Sequence, residues 1–217
     1  MPPSLDYVES GPTQGHRHTC VWLHGLGADG NDLKPFADAL NLPARHTIRQ
    51  VFPHAPLRHI ALWGDVPLRA WYRFASLDFG RGEHAGDIRS ATALVETLLI
   101  RERNALPASG RLVVGGFSQG GLIALAAGLA GNVPVDGVAA LSTYQWSASM
   151  PAQPSPPVFM AHGDADSVIP IAIGRASAQR LASQGVAVDW REYAMAHAIC
   201  QPEIGDLAGW LGARLKD

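Results

Sequence analysis

Several residues of this sequence are of the types and at the positions in the chain that nucleophilic catalysis requires. Ser118 lies within Gly116-Phe117-Ser118-Gln119-Gly120, which matches the pattern G-x-S-x-G between an apolar run and an Ala/Leu-rich stretch. Between a strand and a helix, this pattern exposes a serine hydroxyl at a sharp turn, and glycines flank the serine because side chains there would collide. The pattern therefore predicts that Ser118 is a nucleophile.

A serine hydroxyl is a weak nucleophile at neutral pH, so it needs a nearby base, and the base needs an orienting group. Among nine histidines, His197 alone lies in a loop after the last predicted strand, downstream of both the serine and a candidate acid. The acid is expected at Asp164 or Asp166, which both follow an earlier predicted strand. The chain order serine, aspartate, histidine is that of α/β-hydrolases.

Backbone N–H groups are expected to hold the oxyanion that forms during acyl transfer. The predicted strand 19–23 runs into His24-Gly25-Leu26-Gly27, an H-G-x-G loop that would supply one N–H at Leu26. Gln119, directly after the nucleophile, would supply the second. His24 is expected to shape the loop. This chemistry requires no metal and no organic cofactor, and the sequence contains neither an H-E-x-x-H nor a P-loop pattern.

The segments that must position these residues alternate between strands and helices. Apolar runs and alternating patterns predict strands, and apolar residues at helical spacing predict helices. The predicted strands are 4–10, 19–23, 47–52, 112–114, 135–141, 158–161 and 186–193, and the predicted helices are 32–40, 83–105, a stretch from the serine to about residue 131, 171–184 and 202–215. This alternation predicts an α/β-hydrolase fold, with a mostly parallel central sheet and helices on both faces, as a single domain over residues 1–217.

One long segment, at about residues 53–82, shows little periodicity and is rich in aromatic residues, glycine and proline. Long connections of this kind tend to be functional in compact domains. We expect it to form a lid or substrate-binding loop, although for any single aromatic residue packing onto the core is the simpler interpretation.

Composition excludes several function classes. The chain is 47% hydrophobic and 17% charged with a net charge of −2, so neither a nucleic acid nor an anionic membrane is an expected partner. No signal peptide and no membrane span are recognisable, which predicts a cytoplasmic location without stable membrane insertion. Cys20 and Cys200 are expected to be reduced thiols. The oligomeric state stays open, with a homodimer as one option.

Taken together, these motifs resemble those of the phospholipase/carboxylesterase family of α/β-hydrolases, which includes acyl-protein thioesterases, lysophospholipases and bacterial carboxylesterases. The resemblance covers nearly the whole chain. It depends on Leu23-His24-Gly25-Leu26-Gly27, Arg69-Ala70-Trp71-Tyr72, Gly116-Phe117-Ser118-Gln119-Gly120-Gly121, the segment from His162 to Pro170, and His197-Ala198-Ile199-Cys200. It implies that Asp166 is the catalytic acid and Asp164 a turn residue, that Leu26 and Gln119 are the oxyanion donors, and that Trp63 and Trp71 lie in a substrate-binding loop.

The sequence departs from the family pattern at two places. Ala194-Met195-Ala196-His197-Ala198 stands where the family usually carries G-M-G-H-S, which is expected to alter the loop around the histidine. Arg73 stands where the family tends to carry an aspartate after Trp-Tyr, which is expected to change the charge preference at the mouth of the pocket.

The expected activity is that of a serine carboxylesterase that cleaves small or lipid-like acyl esters through an acyl-enzyme on Ser118. Acyl-protein thioesterase and lysophospholipase activity are the alternatives within the family. A hydrolase-fold binding protein that has lost turnover is an alternative from another class, since a fold does not fix a function. A peptidase or lactone hydrolase could use the same residues, but the family resemblance argues against it.

Overall fold

The computed structural model of the chain describes residues 4–43, 45–76, 78–79 and 82–216. The strands of its main sheet are β1 (Tyr7–Ser10), β2 (His18–Leu23), β3 (Ile48–Pro53), β6 (Arg111–Phe117), β7 (Gly137–Leu141), β8 (Val158–Gly163) and β9 (Val188–Tyr193). These seven strands lie in the order β1-β3-β2-β6-β7-β8-β9. All neighbouring strands pair in parallel except β1 and β3, which are antiparallel.

In the described part of the chain, five α-helices cover the two faces of this sheet. They are α1 (Lys34–Ala39), α2 (Ala85–Ala105), α3 (Gln119–Leu129), α4 (Ile171–Ser183) and α5 (Gln201–Arg214). Buried side chains of α2, α3 and α4 belong to one apolar cluster, and those of α1 and α5 belong to a second. Helices on both faces of a mostly parallel sheet make the α/β-hydrolase architecture that the alternation of strands and helices predicts.

Alternation along the buried strands divides the core into these two clusters. In β2, Val21 and Leu23 pack with the first cluster, whereas Cys20 and Trp22 pack with the second. The Trp22 ring lies against Gly115 of β6, where an added Cβ would come within 2.4 Å of a ring carbon. Since successive side chains of a strand point to opposite faces, each central strand contributes to both cores.

The segment at 53–82 contains regular structure that its lack of periodicity does not predict. Strands β4 (Leu57–Ile60) and β5 (Val66–Arg69) form a separate antiparallel hairpin, connected by the 3-10 turn Ala61–Trp63. Gly64 and Asp65 end this turn with positive φ angles of 76° and 59°. Leu77, Gly80 and Arg81 of the predicted loop lie outside the described residues.

Neither cysteine takes part in a disulfide bond. Cys20 is fully buried in β2, and burial raises the pKa of its thiol to about 12. Among the helices in the described part of the chain, none is both long and apolar enough to cross a membrane.

Candidate active site

Ser118 occupies the turn between β6 and α3 with a φ of 56° and a ψ of −121°. A non-glycine residue at positive φ is strained and persists only where its surroundings hold it. Here Ser118 N donates to Leu141 O at 2.9 Å, and Thr143 Oγ1 donates to Ser118 O at 2.7 Å. The end of β7 therefore fixes the turn that exposes the Ser118 hydroxyl.

The glycines on either side of the serine leave no room for a side chain. A Cβ added at Gly116 would lie 2.4 Å from the carbonyl carbon of Gly120, and one added at Gly120 would lie 2.1 Å from Leu23 O. Real Cβ atoms do not approach backbone atoms so closely. The G-x-S-x-G spacing thus has the steric origin that the sequence suggests.

The structure brings Ser118, His197 and Asp166 together in a hydrogen-bonded chain. The Nε2 atom of His197 lies 2.9 Å from Ser118 Oγ, and its Nδ1 atom lies 2.7 Å from Asp166 Oδ2. Because a carboxylate only accepts, Nδ1 carries the proton and Nε2 is free to accept from the serine hydroxyl. This tautomer is the one in which an imidazole can act as a general base.

The two aspartates left open by the sequence occupy different environments. Asp166 is buried, and its Oδ1 accepts from Val168 N and Ile169 N, both at 2.9 Å. Asp164 is exposed, and its backbone N donates to Tyr193 O at 2.9 Å. Only Asp166 faces His197, and Asp164 has the turn position that the resemblance implies.

The loop that carries His197 is anchored on the loop that carries Asp166. Ala165 N donates to Met195 O at 3.1 Å, and a Cβ at Gly163 would lie 2.2 Å from that same oxygen. Ala194 and Ala196, which stand where the family usually has glycine, are not among the residues with positive φ. Alanine therefore fits this backbone, and the altered loop still brings His197 within hydrogen-bond distance of Ser118.

Leu26 and Gln119, the two expected oxyanion donors, line the same cavity as Ser118 and His197. Gln119 is the first residue of α3, where a backbone N–H has no partner within the helix. The loop of Leu26 is held by Gly27 N, which donates to Arg69 O at 2.9 Å. His24 is fully buried and accepts at Nε2 from Ala55 N at 3.0 Å, in keeping with a loop-shaping residue.

Trp71 does not take the substrate-binding position expected from the resemblance. It is fully buried, is absent from the cavity wall, and donates through Nε1 to His24 O at 2.8 Å. The Gln119 side chain accepts from Trp71 N at 2.9 Å and donates to Tyr72 O at 2.6 Å. Trp71 therefore supports the loop of Leu26 and does not face the cavity. The side chain of Trp63, the second expected substrate-binding residue, lies outside the described residues.

A cavity of about 480 Å³ opens over Ser118, a size typical of small-molecule sites. Its wall is mainly apolar and comes from several separate parts of the chain. The side chains that extend it beyond the predicted residues are Leu33, Leu68, Tyr72, Phe74, Phe79, Phe117, Tyr144, Val168 and Ile169. Four of them, Leu68, Tyr72, Phe74 and Phe79, lie in the segment at 53–82, so part of that segment forms a wall of the cavity.

Sequence reasoning did not identify Tyr144, Val168 and Ile169 as wall residues. Their positions in the chain could have indicated this, because Tyr144 lies just beyond the carboxyl end of β7, and Val168 and Ile169 lie on the loop that carries Asp166. In an open parallel sheet, residues just beyond the carboxyl ends of the strands surround the binding crevice.

Arg73 does not present a free charge at the cavity. Its Nε and Nη2 atoms lie 2.7 Å and 3.1 Å from the Asp87 carboxylate, which also binds Arg58 Nη1 at 3.1 Å. Arg73 is not part of the cavity wall. The expected change in charge preference at the pocket mouth is therefore offset by pairing with Asp87.

Glu203, in the first turn of α5, is fully buried close to the His197 loop and accepts from Cys200 N. Burial raises the pKa of its carboxyl group from 4.5 to about 7. Between these two values the folded state keeps a proton that the unfolded state has released. We expect the free energy of unfolding to fall as pH rises from 4.5 to 7, and Glu203→Gln to be more stable than the wild type at pH 8 by about 1–3 kcal/mol.

Urea unfolding at pH 5 and pH 8 measures this effect. Asp38→Asn, which removes an exposed carboxylate from α1, serves as the control for the loss of one negative charge. An identical pH dependence in Glu203→Gln and the wild type would contradict the prediction.

A strained Ser118 lies between a strand and a helix, and His197 and Asp166 lie on the loops after β9 and β8. This arrangement defines the molecule as a serine hydrolase of the α/β-hydrolase class. The family model described as phospholipase/carboxylesterase matches residues 7–214. The chain therefore belongs to the phospholipase/carboxylesterase family, whose members act on ester bonds.

Individual relatives agree with this assignment. The chain is 35% identical over 216 residues to acyl-protein thioesterase 1 of Mycosarcoma maydis, covering 89% of each chain. It is 31% identical to acyl-protein thioesterase 1 of Neurospora crassa, covering 92% of this chain and 88% of the relative. The crystal structure of Zea mays acyl-protein thioesterase 2 superposes with a TM-score of 0.80 at 28% identity, covering 97% of this chain and 99% of that one.

Proposed function

We propose that this protein hydrolyses oxygen esters and thioesters of apolar acyl chains through an acyl-enzyme on Ser118. The observation that carries the proposal is the position of the hydrogen-bonded chain from Ser118 to Asp166 at one end of an apolar cavity. Relatives that span almost the whole chain and are named acyl-protein thioesterases support thioesters alongside the oxygen esters that the sequence alone suggests.

In the first half of the reaction, His197 Nε2 takes the proton from Ser118 Oγ as the oxygen attacks the acyl carbonyl. The negative charge moves to the carbonyl oxygen, where the backbone N–H groups of Leu26 and Gln119 stabilise it. Each donor of this kind is worth about 2.7–4 kcal/mol in the transition state. His197 then protonates the leaving alcohol or thiol, and the acyl group stays on Ser118.

In the second half, His197 removes a proton from water, and the resulting oxygen attacks the acyl-enzyme. The Ser118 oxygen leaves with the proton from His197, which releases the carboxylic acid and restores the site. Asp166 holds the imidazole in its reactive tautomer and stabilises its protonated form throughout. The apolar wall of the cavity, including Phe74 and Phe79, holds the acyl chain away from water.

We expect a fluorophosphonate probe to label the wild type at Ser118, and we expect the protein to turn over nitrophenyl esters from acetyl to decanoyl. Adding one palmitoyl thioester to the panel tests both the length of chain that the cavity accepts and the thioester activity. Ser118→Ala is the control, because it removes the nucleophile and leaves the cavity intact. Label on the wild type should be located by mass spectrometry of the peptide that contains residue 118.

Folded wild-type protein that resists the probe and leaves every ester intact would favour the hydrolase-fold binding protein instead. Hydrolysis of the oxygen esters with no hydrolysis of the thioester would reduce the proposal to a carboxylesterase. A lysophospholipid included in the same panel tests for lysophospholipase activity, the remaining alternative within the family.

A further inference from the structure

A second histidine lies on the far side of Asp166 from His197. His162 is fully buried near the carboxyl end of β8. Its Nε2 atom lies 2.8 Å from Ile169 O and 3.2 Å from Asp166 Oδ2. Ile169 O only accepts hydrogen bonds, so Nε2 carries the proton and donates it to this carbonyl, and the partly positive N–H lies beside Asp166 Oδ2.

The other ring nitrogen of His162 is held without a hydrogen. Its Nδ1 atom is buried and has no hydrogen-bond partner among the described residues. Gly174 of α4 packs directly against it, since a Cβ added there would lie 2.4 Å from Nδ1. A proton on Nδ1 would be buried without an acceptor, which is costly, so the surroundings keep the ring neutral with its proton on Nε2.

We infer that His162 is a positioning residue for the hydrolytic reaction, and that it acts through Asp166. The Oδ2 atom of Asp166 lies between two imidazoles, at 2.7 Å from His197 Nδ1 and 3.2 Å from His162 Nε2. Two backbone N–H groups bind Oδ1, so both oxygens of the carboxylate have neighbours that fix their position. The carboxylate therefore cannot rotate without losing a contact. Because Asp166 orients His197, His162 helps to fix the orientation of His197 through the carboxylate.

His162 also adjusts how much negative charge Asp166 presents to the base. The partly positive Nε2–H offsets part of the charge on Oδ2, which weakens the hold of the carboxylate on a protonated His197. This effect alone would slow the reaction, and the fixed orientation of Asp166 outweighs it. Glu192 of β9, which binds Arg175 and Trp190, is a further charged group that interacts with His162. Burial lowers the pKa of His162, which favours the neutral ring.

The inference rests on the proposed serine chemistry, and its test compares two replacements of the same ring. His162→Leu removes the Nε2–H donor, whereas His162→Gln places an amide N–H near the same point. In His162→Leu, we expect kcat and the rate of fluorophosphonate labelling to fall about 10–100-fold with little change in KM, the range that loss of a polar contact to a charged group carries. His162→Gln should recover most of this loss.

The pH profile separates this role from plain packing. Without the Nε2–H donor, Asp166 holds the protonated form of His197 more strongly, so the acid limb of kcat/KM should move to higher pH by about 0.5–1 unit in His162→Leu. A residue that only fills space would lower the melting temperature and leave the acid limb in place.

Gly174→Ala provides an independent test that leaves the His162 side chain in the sequence. Its Cβ should displace the ring and slow labelling, whereas Gly209→Ala on α5, where a Cβ meets nothing within 4 Å, should not. Wild-type labelling rates in His162→Leu with an unmoved acid limb would overturn the inference, and so would a His162→Gln protein as slow as the leucine variant. A wild type that is labelled but cleaves none of the esters contradicts the proposed substrates only, because labelling rates still test His162.

Discussion

Asp166→Asn is expected to lower turnover by about 10⁴-fold, as the corresponding replacement does in another serine hydrolase. An asparagine of the same shape offers His197 an amide in place of a carboxylate and favours the wrong tautomer of the ring. The backbone donors of Val168 and Ile169 would stay in place, so the fold should survive. Steady-state kinetics on the best nitrophenyl ester, with circular dichroism to verify folding, measures the loss.

Asp164→Asn is the matched control for this prediction. Asp164 lies two residues away on the same loop, but it is exposed and does not face His197. We expect Asp164→Asn to retain activity within a few-fold of the wild type. If the two asparagine variants were equally inactive, the assignment of Asp166 as the acid would be wrong.

Gly120→Ala should damage both stability and activity, because the added methyl group meets backbone atoms that cannot move aside. It would lie 2.1 Å from Leu23 O and 2.6 Å from His24 O. We expect the free energy of unfolding to fall by about 2–3 kcal/mol, at the upper end of overpacking effects. Because the displaced atoms lead into the loop of Leu26, kcat should also fall by about 100-fold or more, the loss associated with one oxyanion donor.

Urea unfolding and ester kinetics test this pair of effects. Gly205→Ala is the control, since an added Cβ on that part of α5 meets nothing within 4 Å. It should retain full activity and be as stable as the wild type or slightly more so, as expected for alanine in place of glycine within a helix. A fully active and stable Gly120→Ala protein would contradict the steric explanation of the motif.

The parts of the molecule that the sequence predicted are those in which local pattern and tertiary structure agree. Apolar strands with buried sides such as β2 and β8 were recognisable because burial on both faces demands a continuous apolar run. The positions of Ser118 and His197 after their strands were recognisable because a parallel sheet collects its carboxyl ends at one edge.

Other features depend on contacts between distant segments, which local patterns do not contain. The pattern of α2 places Asp87 and Glu102 on its polar side, yet both are buried by arginines from elsewhere, among them Arg58 and Arg49. The hairpin β4–β5 is short and mostly exposed, so it lacks the alternation that marks a half-buried strand.

Trp71 illustrates the same limit for the site itself. An aromatic residue in a loop near a predicted pocket can face the ligand or support the wall, and composition does not distinguish the two. Two hydrogen bonds hold Trp71 in its buried position. Its ring Nε1 donates to His24 O, and its backbone N donates to the side chain of Gln119, 48 residues further along the chain.

The order of the strands in the sheet has a consequence for when the site forms during synthesis of the protein. His197 follows β9, which is an edge strand of the sheet and comes after its other six strands along the chain. Ser118 is synthesised 79 residues before His197, so a growing chain contains the nucleophile before it contains the base. The hydrogen-bonded chain from Ser118 to Asp166 is therefore completed only when β9 docks on β8 and places His197 beside the serine.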